Sequence, residues 1–451
     1  MPLRGKKMLV VGLGVSGAAS CRLGVGHGAS VRATDAAMNP PAAAGLAALG
    51  VSLSLGGHRA ADFAWADLIV LSPGVDHRLP EIAGAAARGA EVIGEMELGY
   101  RFLKAPAVMI TGTNGKTTVT TLIGEMLEAA GRQVFSGGNL GTPLCELVAG
   151  PHAHIDWAVL EVSSFQTDTM VHLRPRVGLL LNITPDHLDR YASFDAYAAS
   201  KFRLFGNQHG DDLAILCFDD PAVRRRFYQA PARIWAYASQ PHPHAGGWLE
   251  GDDLVIEPNQ GQPPLCISAG KSPLVGGFNR LNLLAASLAA LACGVTPEVI
   301  QGVVDRFRGL GHRMVHVMAI AGVDFYDDSK GTNVGAVQAA LGALDKPVVL
   351  LLGGRDKAGR FADLAPQMAG KVAQVICFGE AGPAIHAQVS GLAPSLVAPD
   401  LATAVSEARR LAQPGQAVLL SPGCASFDAY TGYAQRGDHF QALVRAEAER
   451  V

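Results

Sequence analysis

A glycine-rich loop in the middle of the sequence has the residue types and spacing that bind a polyphosphate. It reads T-G-T-N-G-K-T-T over residues 111–118 and follows the apolar segment Val108–Ile110. Backbone N–H groups, a helix N-terminus and the ammonium group of Lys116 can neutralise phosphate charge, while a threonine hydroxyl can bind Mg²⁺. A helix is expected to begin near Val119. The predicted ligands of ATP or GTP are Gly112, Thr113, Asn114, Gly115, Lys116, Thr117 and Thr118.

A second glycine-rich loop lies close to the start of the chain. It reads G-L-G-V-S-G over residues 12–17, between the apolar segment Met8–Val11 and an Ala-rich stretch. Glycines let the backbone approach a pyrophosphate, and a carboxylate at the end of the next strand can hold a ribose hydroxyl. Considered alone, this pattern predicts NAD and makes a dehydrogenase one hypothesis. The candidate ligands are Gly14, Val15, Ser16 and Asp35, with Ser72 and Gly74 of an S-P-G turn bordering the same crevice.

Acidic and imidazole groups follow two further strand-like segments. Glu161 ends the apolar segment Trp157–Leu160, and His187 lies in the P-D-H-L-D run after Gly178–Asn182. Mg²⁺ prefers oxygen ligands together with phosphate oxygens, which favours a site formed by Thr117 and Glu161 beside the nucleotide. His187 is a candidate metal ligand or general base, and the alternative is a capping or surface imidazole.

Other polar residues have weaker signals. Lys201 is, from the residues alone, predicted to be a lysine on a helix surface. Asn279 and Asn282 lie three residues apart at the start of an Ala-rich helix, where they could hold an adenine edge or cap the helix.

Three polar loops follow strand-like segments in the last third of the chain. They read D-D-S-K-G-T-N (327–333), G-G-R-D-K (353–357) and S-P-G-C-A-S-F-D (421–428). Because ligands of open α/β sheets bind at the carboxyl ends of strands, these loops predict a pocket. Lys330, Lys357 and Ser421 would suit a small molecule with carboxylates. A kinase or transport ATPase would explain the phosphate loop but not these three loops.

The elements that position these groups alternate between short apolar strands and Ala-rich helices along the whole chain. This pattern predicts an α/β fold with mostly parallel sheets that are covered on both faces. We expect three domains: a Rossmann-like domain over 1–105, a P-loop ATPase-like domain over 106–308 and a Rossmann-like α/β domain over 309–451. The Pro-, Gly- and His-rich stretch Gln240–Pro273 is expected to form an irregular insert or a small extra antiparallel sheet.

Composition excludes several classes of protein. The chain has 451 residues, of which 49% are apolar, and a formal net charge of -3, so it is neither disordered nor a basic polyanion binder. No apolar segment approaches the ~18 residues needed to span a membrane. The seven cysteines contain no C-x-x-C pair, which argues against a zinc site or a disulfide framework. We therefore expect a soluble cytoplasmic enzyme that binds no nucleic acid and no membrane.

Taken in order, the motifs resemble those of the Mur ligases, the ATP-dependent amide ligases of peptidoglycan precursor synthesis. The motifs concerned are T-G-T-N-G-K-T-T, L-E-V-S-S-F-Q, N-I-T-P-D-H-L-D-R, F-N-R-x-N, D-D-S-K-G-T-N and S-P-G-C-A-S-F-D. Within the family, the chain looks like the branch that adds D-glutamate to UDP-N-acetylmuramoyl-L-alanine. The resemblance reassigns the first glycine loop from NAD to the uridine nucleotide of this substrate. It also implies an acyl-phosphate mechanism that releases ADP and phosphate.

The resemblance implies a role for each matching residue. Lys116, His187 and Lys201 would be catalytic, with Lys201 carbamylated, and Mg²⁺ would bind to Thr117, Glu161, His187 and Lys201. Asn279, Asn282, Arg313 and Asp328 would join the phosphate loop in binding ATP, and Asn139 would contact the UDP-substrate. The D-glutamate pocket would contain Lys330, Thr332, Lys357, Ser421 and Phe427. The protein is expected to be a monomer.

Overall fold

The protein forms three successive α/β units, each built on its own sheet. The computed structural model describes residues 3–139, 141–150, 154–187, 190–259, 263–356 and 358–449. Within these residues every sheet has a hydrophobic cluster on each of its two faces, as expected for sheets covered by helices on both sides. None of the helices in these ranges is both long and apolar enough to cross a membrane.

The amino-terminal unit contains β1 (Lys7–Val11), β2 (Ser30–Asp35), β3 (Ser52–Leu55), β4 (Leu68–Leu71) and β5 (Glu91–Gly94), with α1 (Val15–Gly26), α2 (Ala43–Ala48), α3 (Ala60–Trp65), α4 (Pro80–Ala87) and α5 (Glu95–Tyr100). Its strands are all parallel, in the order β3-β2-β1-β4-β5. The order reverses between β1 and β4, so the crevice of this sheet opens beside the loop that joins β1 to α1.

The central unit contains β6 (Ala107–Thr111), β7 (Val134–Gly138), β8 (Trp157–Glu161), β9 (Val177–Leu180), β10 (Leu213–Cys217), β11 (Arg233–Ala238), β12 (Gly246–Glu250), β13 (Asp253–Glu257) and β14 (Leu265–Ser268). Its helices are α6 (Lys116–Ala129), α7 (Leu144–Ala149), α8 (Ser164–Thr167), α9 (Phe194–Phe202), α10 (Pro221–Arg224), α11 (Gly277–Ala292) and α12 (Pro297–Arg306), with 3₁₀ turns at Arg203–Phe205 and Phe227–Gln229. The strand order is β14-β13-β12-β11-β10-β9-β6-β8-β7.

The carboxyl-terminal unit contains β15 (Val315–Ile320), β16 (Val323–Asp327), β17 (Val348–Gly353), β18 (Val372–Phe378), β19 (Ser395–Ala398) and β20 (Ala417–Gly423), with α13 (Val334–Gly342), α14 (Ala365–Met368), α15 (Gly382–Val389), α16 (Leu401–Leu411), α17 (Tyr433–Ala448) and a 3₁₀ turn at Phe361–Leu364. The strand order is β15-β16-β20-β17-β18-β19, and β15 and β16 form an antiparallel hairpin at the edge.

The structure confirms the predicted strands and corrects three expectations. α6 begins at Lys116 and not near Val119, because the left-handed Gly115 ends the loop and the next residues are already helical. The predicted antiparallel insert is present as β12–β14, but it is wrong to regard it as a separate sheet, since β12 pairs in parallel with β11 and extends the central sheet. The antiparallel hairpin of β15 and β16 was not predicted. The boundaries 1–105, 106–308 and 309–451 stay a prediction.

One buried carboxylate joins the first two units. Glu97 on α5 is 1% exposed, and it accepts hydrogen bonds from the backbone N–H groups of Val171, His172 and Leu173 at 3.0–3.1 Å. The guanidinium group of Arg101 donates to the same carboxylate at 2.9 Å. Three successive amides thus hold the last helix of the amino-terminal unit against the central unit.

Candidate active site

The phosphate loop connects β6 to α6 and is shaped by two glycines. Gly112 (φ 152°) and Gly115 (φ 87°) adopt conformations that other residues rarely adopt, and a Cβ atom on Gly115 would lie 2.6 Å from the side-chain oxygen of Asn282. The Nζ atom of Lys116 donates to the carbonyls of Gly112 (3.0 Å) and Thr113 (2.9 Å), so the ammonium group lies over the loop. The structure places the other predicted ligands in the loop and the first turn of α6: Asn114, Thr117 and Thr118.

Four predicted site residues from four segments meet beside this loop. Glu161, at the end of β8, is 3% exposed, and its carboxylate accepts from the Thr117 hydroxyl (2.8 Å) and the Asn139 amide (3.1 Å). The guanidinium group of Arg313, from the segment before β15, donates to the Thr117 hydroxyl (2.7 Å). Burial lowers the pKa of Arg313. The carboxyl-terminal unit therefore contributes a cation directly to the phosphate loop.

Lys201 is buried next to the same loop. It lies in the last turn of α9, is 2% exposed, and its Nζ atom donates to the Gly112 carbonyl at 2.8 Å. Burial, together with the neighbouring charge of Lys116, lowers the pKa of Lys201 well below its usual value. The prediction of a helix-surface lysine is therefore wrong: α9 packs against the central sheet and directs this side chain inward.

His187 lies in the loop after β9. Its ring centre is 4.9 Å from that of Phe165, and its Nε2 atom is 3.7 Å from the carboxylate of Asp186. Asp186 accepts in turn from the Nδ2 atom of Asn333 at 3.2 Å. Asn333 also exchanges hydrogen bonds with the side chain of Asn114 in the phosphate loop (3.2 and 3.4 Å). The loop that carries His187 thus meets the carboxyl-terminal unit.

The two predicted adenine-side asparagines are buried, and one of them lies at a cavity of about 280 Å³. Asn282 lines this cavity with Asn114, and its amide donates to the side-chain oxygen of Asn279 at 3.3 Å. Asn279 itself donates to the Val275 carbonyl at 2.8 Å. Because α11 begins after Gly276 without a side-chain cap in the described structure, the capping alternative is wrong.

The amino-terminal glycine loop has the conformation that its pattern predicts. A Cβ atom on Gly17 would lie 1.8 Å from the Gly12 carbonyl, whereas one on Gly14 would meet no atom within 4 Å. Asp35 does not stand free at the strand end, because its carboxylate accepts from the Leu13 amide at 2.6 Å and so braces the loop. The Ser72 hydroxyl donates to the Gly12 carbonyl at 2.8 Å, which puts the S-P-G turn beside this loop as predicted. Of the remaining predicted ligands, Val15 and Ser16 lie in the first turn of α1, and Gly74 lies in the S-P-G turn.

A narrow crevice between this turn and the central unit contains two buried polar atoms without partners. Glu95 Oε2 and Gln166 Nε2 form no hydrogen bond within the part of the chain that the structure describes, and both residues line the crevice together with Ser72. Burial raises the pKa of Glu95 to about 7. The crevice has a volume of about 10 Å³, which is room for about one water molecule, and a water there can pair with both atoms. Sequence analysis missed both residues.

The predicted amino-acid pocket is brought together only in part. Ser421 is fully buried and donates to the carboxylate of Asp328 at 2.7 Å, and burial raises the pKa of Asp328 to about 7. The Nζ atom of Lys330 lies 4.0 Å from the centre of the Tyr433 ring, and Phe427 is 63% exposed. Lys357 lies outside the described residues.

A cavity of about 330 Å³ lies between the central and carboxyl-terminal units. Thr332 lines it together with Asp186 and Asn333. Among the five predicted amino-acid ligands, Thr332 alone of those described lines this cavity. Asn333 was not selected by sequence analysis, although its place in the D-D-S-K-G-T-N run, directly before a helix, is the signal that could have found it.

Comparison with known proteins identifies the family. Residues 6–94 match the N-terminal domain of MurD-like Mur ligases, residues 110–290 the Mur ligase middle domain, and residues 312–424 the Mur ligase glutamate ligase domain. A relative from Desulfatibacillum aliphaticivorans, named UDP-N-acetylmuramoylalanine–D-glutamate ligase, is 43% identical over 99% of both chains. The chain belongs to the Mur ligase family. A relative of the same name from Desulfosudis oleivorans is 44% identical over 98% of this Mur ligase and 96% of the relative.

Solved structures agree on the fold. A pseudomurein peptide ligase type C from Methanothermus fervidus superposes with a TM-score of 0.63 and 18% identity, over 98% of this Mur ligase and 100% of that chain. Membership of the family implies the use of ATP, in keeping with the phosphate loop of this Mur ligase.

Proposed function

We propose that this Mur ligase joins D-glutamate to UDP-N-acetylmuramoyl-L-alanine in peptidoglycan precursor synthesis, with hydrolysis of ATP to ADP and phosphate. The proposal is supported by the names of relatives that match along the whole chain. The observation that carries it is the contact of Arg313 with Thr117, which joins the phosphate loop to the unit that carries the polar strand-end loops. Neither a dehydrogenase nor a transport ATPase needs this arrangement.

The nucleotide would bind across the phosphate loop. Backbone amides of 112–118 and the ammonium group of Lys116 would hold the phosphates, because a helix N-terminus and a cation stabilise negative charge there. Arg313 would add a second cation near the transferred phosphoryl group. Asn279 and Asn282 would face the base, at the cavity of about 280 Å³. Asp328 would belong to the ATP site together with Arg313.

The residues present fit Mg²⁺. Thr117 and Glu161 offer a hydroxyl and a carboxylate that already lie 2.8 Å apart, and Mg²⁺ takes few protein oxygens together with phosphates. We assign His187 and modified Lys201 to the same group on the family resemblance. When bound, the ion would withdraw charge from the phosphate oxygens.

Lys201 has the environment of a lysine that reacts with CO₂. A lowered pKa increases the neutral fraction of the amine, and a neutral amine can add to CO₂ to form a carbamate with release of one proton. The product is an anionic oxygen donor. Its negative charge would be stabilised by Lys116, whose positive charge already acts on Lys201. This modification explains why a lysine is buried at a phosphate site.

The reaction would proceed in two steps. The L-alanyl carboxylate of the UDP-substrate attacks the γ-phosphorus of ATP, and ADP leaves as the acyl phosphate forms. The amine of D-glutamate then attacks the acyl carbon, phosphate leaves, and one proton is lost from the amine. Lys116 and Arg313 stabilise charge on the transferred group. Closure of the carboxyl-terminal unit would exclude water from the acyl phosphate.

The two remaining substrates would bind at opposite ends of this centre. The UDP-substrate would be held by the segment with Gly14, Val15 and Ser16, together with Asp35, Ser72, Gly74 and Asn139. Lys330, Thr332, Lys357, Ser421 and Phe427 would form the D-glutamate site. We expect the enzyme to act in the cytoplasm, since ATP is a cytoplasmic co-substrate, and to be a monomer.

An amino-acid panel tests the proposal. Phosphate release is measured with ATP and the UDP-substrate present while the amino acid is varied. We expect release with D-glutamate and little release when either the UDP-substrate or the amino acid is omitted. Turnover of ATP alone would favour an ATPase, and NADH binding at the first glycine loop would favour a dehydrogenase; either result would refute the ligase.

A further inference from the structure

Arg436 is the largest fully buried side chain in the described part of the chain. It lies in the first turn of α17 and was not selected by its sequence context. Burial lowers the pKa of Arg436 to about 10, so the guanidinium group remains charged at neutral pH. A buried cation is costly unless its donors are satisfied, and arginine is almost never fully buried without partners.

All five N–H donors of the guanidinium group have partners. Its Nε atom donates to the Ser329 hydroxyl (3.0 Å), and Nη2 donates to the carbonyls of Ser329 (2.8 Å) and Cys424 (3.1 Å). Nη1 donates to the carbonyls of Gly353 (3.4 Å) and Ala425 (3.3 Å). None of these partners is a carboxylate. The positive charge is therefore hydrogen-bonded to neutral oxygens only, while the carboxylates of Asp327 and Asp428 act on it through space.

The acceptors come from the ends of three adjacent strands. Ser329 follows β16, Gly353 ends β17 and Cys424 follows β20, and the sheet order places β20 between the other two. The loops that begin at these points carry four of the residues assigned above to D-glutamate, Lys330, Thr332, Lys357 and Phe427, and the fifth, Ser421, lies in β20 itself. The Arg436 side chain therefore fixes the spacing of all three loops through its hydrogen bonds.

The surroundings leave little freedom for this side chain. A Cβ atom on Gly354 would lie 2.9 Å from Nη1 of Arg436, so the loop after β17 rests directly on the guanidinium group. One turn further along α17, Gln441 donates to the buried carboxylate of Asp327 at 2.8 Å. The Ser329 hydroxyl donates to the Tyr433 carbonyl at 2.8 Å. α17 is thus fastened under the strand ends on both sides of Arg436.

We propose that Arg436 is a positioning residue for the amino-acid substrate: its five hydrogen bonds set the three strand-end loops, and its positive charge, which has no hydrogen-bonded carboxylate, favours an anionic amino acid above them. This inference rests on the proposed D-glutamate function. Arg436 would not touch the substrate, because its side chain is fully buried and all its donors are used by the loops.

Two substitutions separate its hydrogen bonds from its charge. Arg436→Lys keeps the charge but has three donors in place of five, and Arg436→Gln also removes the charge. We expect the KM for D-glutamate to rise by about tenfold or more in Arg436→Lys, because at least two charge-assisted hydrogen bonds are lost. The rise should be larger in Arg436→Gln. The KM for the UDP-substrate should stay within about twofold, since its site uses other residues. The KM for ATP should rise less than that for D-glutamate, because among the residues assigned to ATP only Asp328 lies next to a partner of Arg436.

A neighbouring arginine provides the control. Arg445 lies on the same helix, is exposed and donates to Gln441, so Arg445→Lys and Arg445→Gln should leave every kinetic constant within about twofold. Ser329→Ala removes one hydrogen bond of Arg436 together with the bond from the same hydroxyl to the Tyr433 carbonyl, and we expect a smaller rise of roughly three- to tenfold in the KM for D-glutamate. This variant remains informative if the Arg436 variants do not fold.

The outcomes are distinct. Folded Arg436 variants with an unchanged KM for D-glutamate would overturn the inference, as would equal rises for all three substrates. If the Arg436 variants unfold and Ser329→Ala is unchanged, Arg436 serves folding alone and the inference fails. Equal KM values for D-glutamate in Arg436→Lys and Arg436→Gln would refute the proposed role of the positive charge. Absence of D-glutamate-dependent phosphate release in the unaltered protein would instead refute the proposed function.

Discussion

The contact between Asn333 and the central unit predicts how strongly the phosphate loop depends on the carboxyl-terminal unit. Asn333 makes hydrogen bonds with Asn114 at 3.2 and 3.4 Å and with Asp186 at 3.2 Å. Its side-chain oxygen also accepts from the Ala336 amide at 2.8 Å, so the same residue caps α13. A useful substitution must remove the contacts between units and keep the cap.

Asn333→Ser meets this requirement, because serine is a good N-cap and is too short to reach Asn114 or Asp186. A neutral hydrogen bond contributes about 0.5–1.5 kcal/mol, and one to a carboxylate about 1.5–3 kcal/mol. Water can replace part of this at a half-buried contact, so we expect a loss of about 1–3 kcal/mol. That corresponds to a fall of roughly 5- to 150-fold in kcat/KM for phosphate release with all three substrates present.

The matched control changes an equivalent cap far from the site. Asp400 caps α16 by accepting from the Thr403 amide at 2.8 Å, and Asp400→Ser should leave kcat/KM within about twofold. Thermal unfolding of both variants tests whether either cap is lost. If Asn333→Ser unfolds like the unaltered protein and keeps its kcat/KM, the bridge between the units has no role in turnover and the reasoning is refuted.

Two further predictions concern buried ionisable groups. Lys201→Ala should lose most activity and regain part of it with added short carboxylic acids but not with bicarbonate, because an acid can replace the carbamate oxygens. ¹³C NMR after equilibration with ¹³CO₂ should detect the carbamate in the unaltered protein alone. Normal turnover of the variant would exclude a role for the carbamate. Burial raises the pKa of Glu95 from 4.5 to about 7, so the native state binds the extra proton and loses stability as the pH rises from about 4.5 to 7. Glu95→Gln removes this penalty, which is at most about 3 kcal/mol. Urea unfolding should therefore show a greater gain in stability at pH 8 than at pH 5, and an equal effect at both pH values would contradict the raised pKa of Glu95.

Features that depend on neighbouring residues in the chain were predictable. The phosphate loop, the amino-terminal glycine loop and the strands before them follow from glycine placement and apolar runs, and the structure confirms them. The start of α6 was misplaced, because a left-handed glycine can be followed at once by helix and Lys116 is itself helical.

Features that depend on contacts between distant segments were not predictable from the pattern alone. Lys201 lies in the last turn of α9, whose residues do not reveal which face of the helix packs against the protein. Only packing of α9 against the central sheet buries this side chain. Asn333 bonds to partners 147 and 219 residues away along the chain, and Arg436 reaches Ser329 across 107 residues. Such pairings depend on how strands are ordered in a sheet, which local composition does not encode.

The cradle of three amides around Glu97 has a consequence for protein engineering. A chimera that takes its first hundred residues from one relative and the rest from another inherits this carboxylate from one parent and its three donors, at positions 171–173, from the other. If the backbone of that segment differs between the two parents, the buried carboxylate of Glu97 is left without its hydrogen-bond donors at the junction. The amino-terminal unit therefore cannot be exchanged by itself, and successful exchanges should carry residues 171–173 along with it.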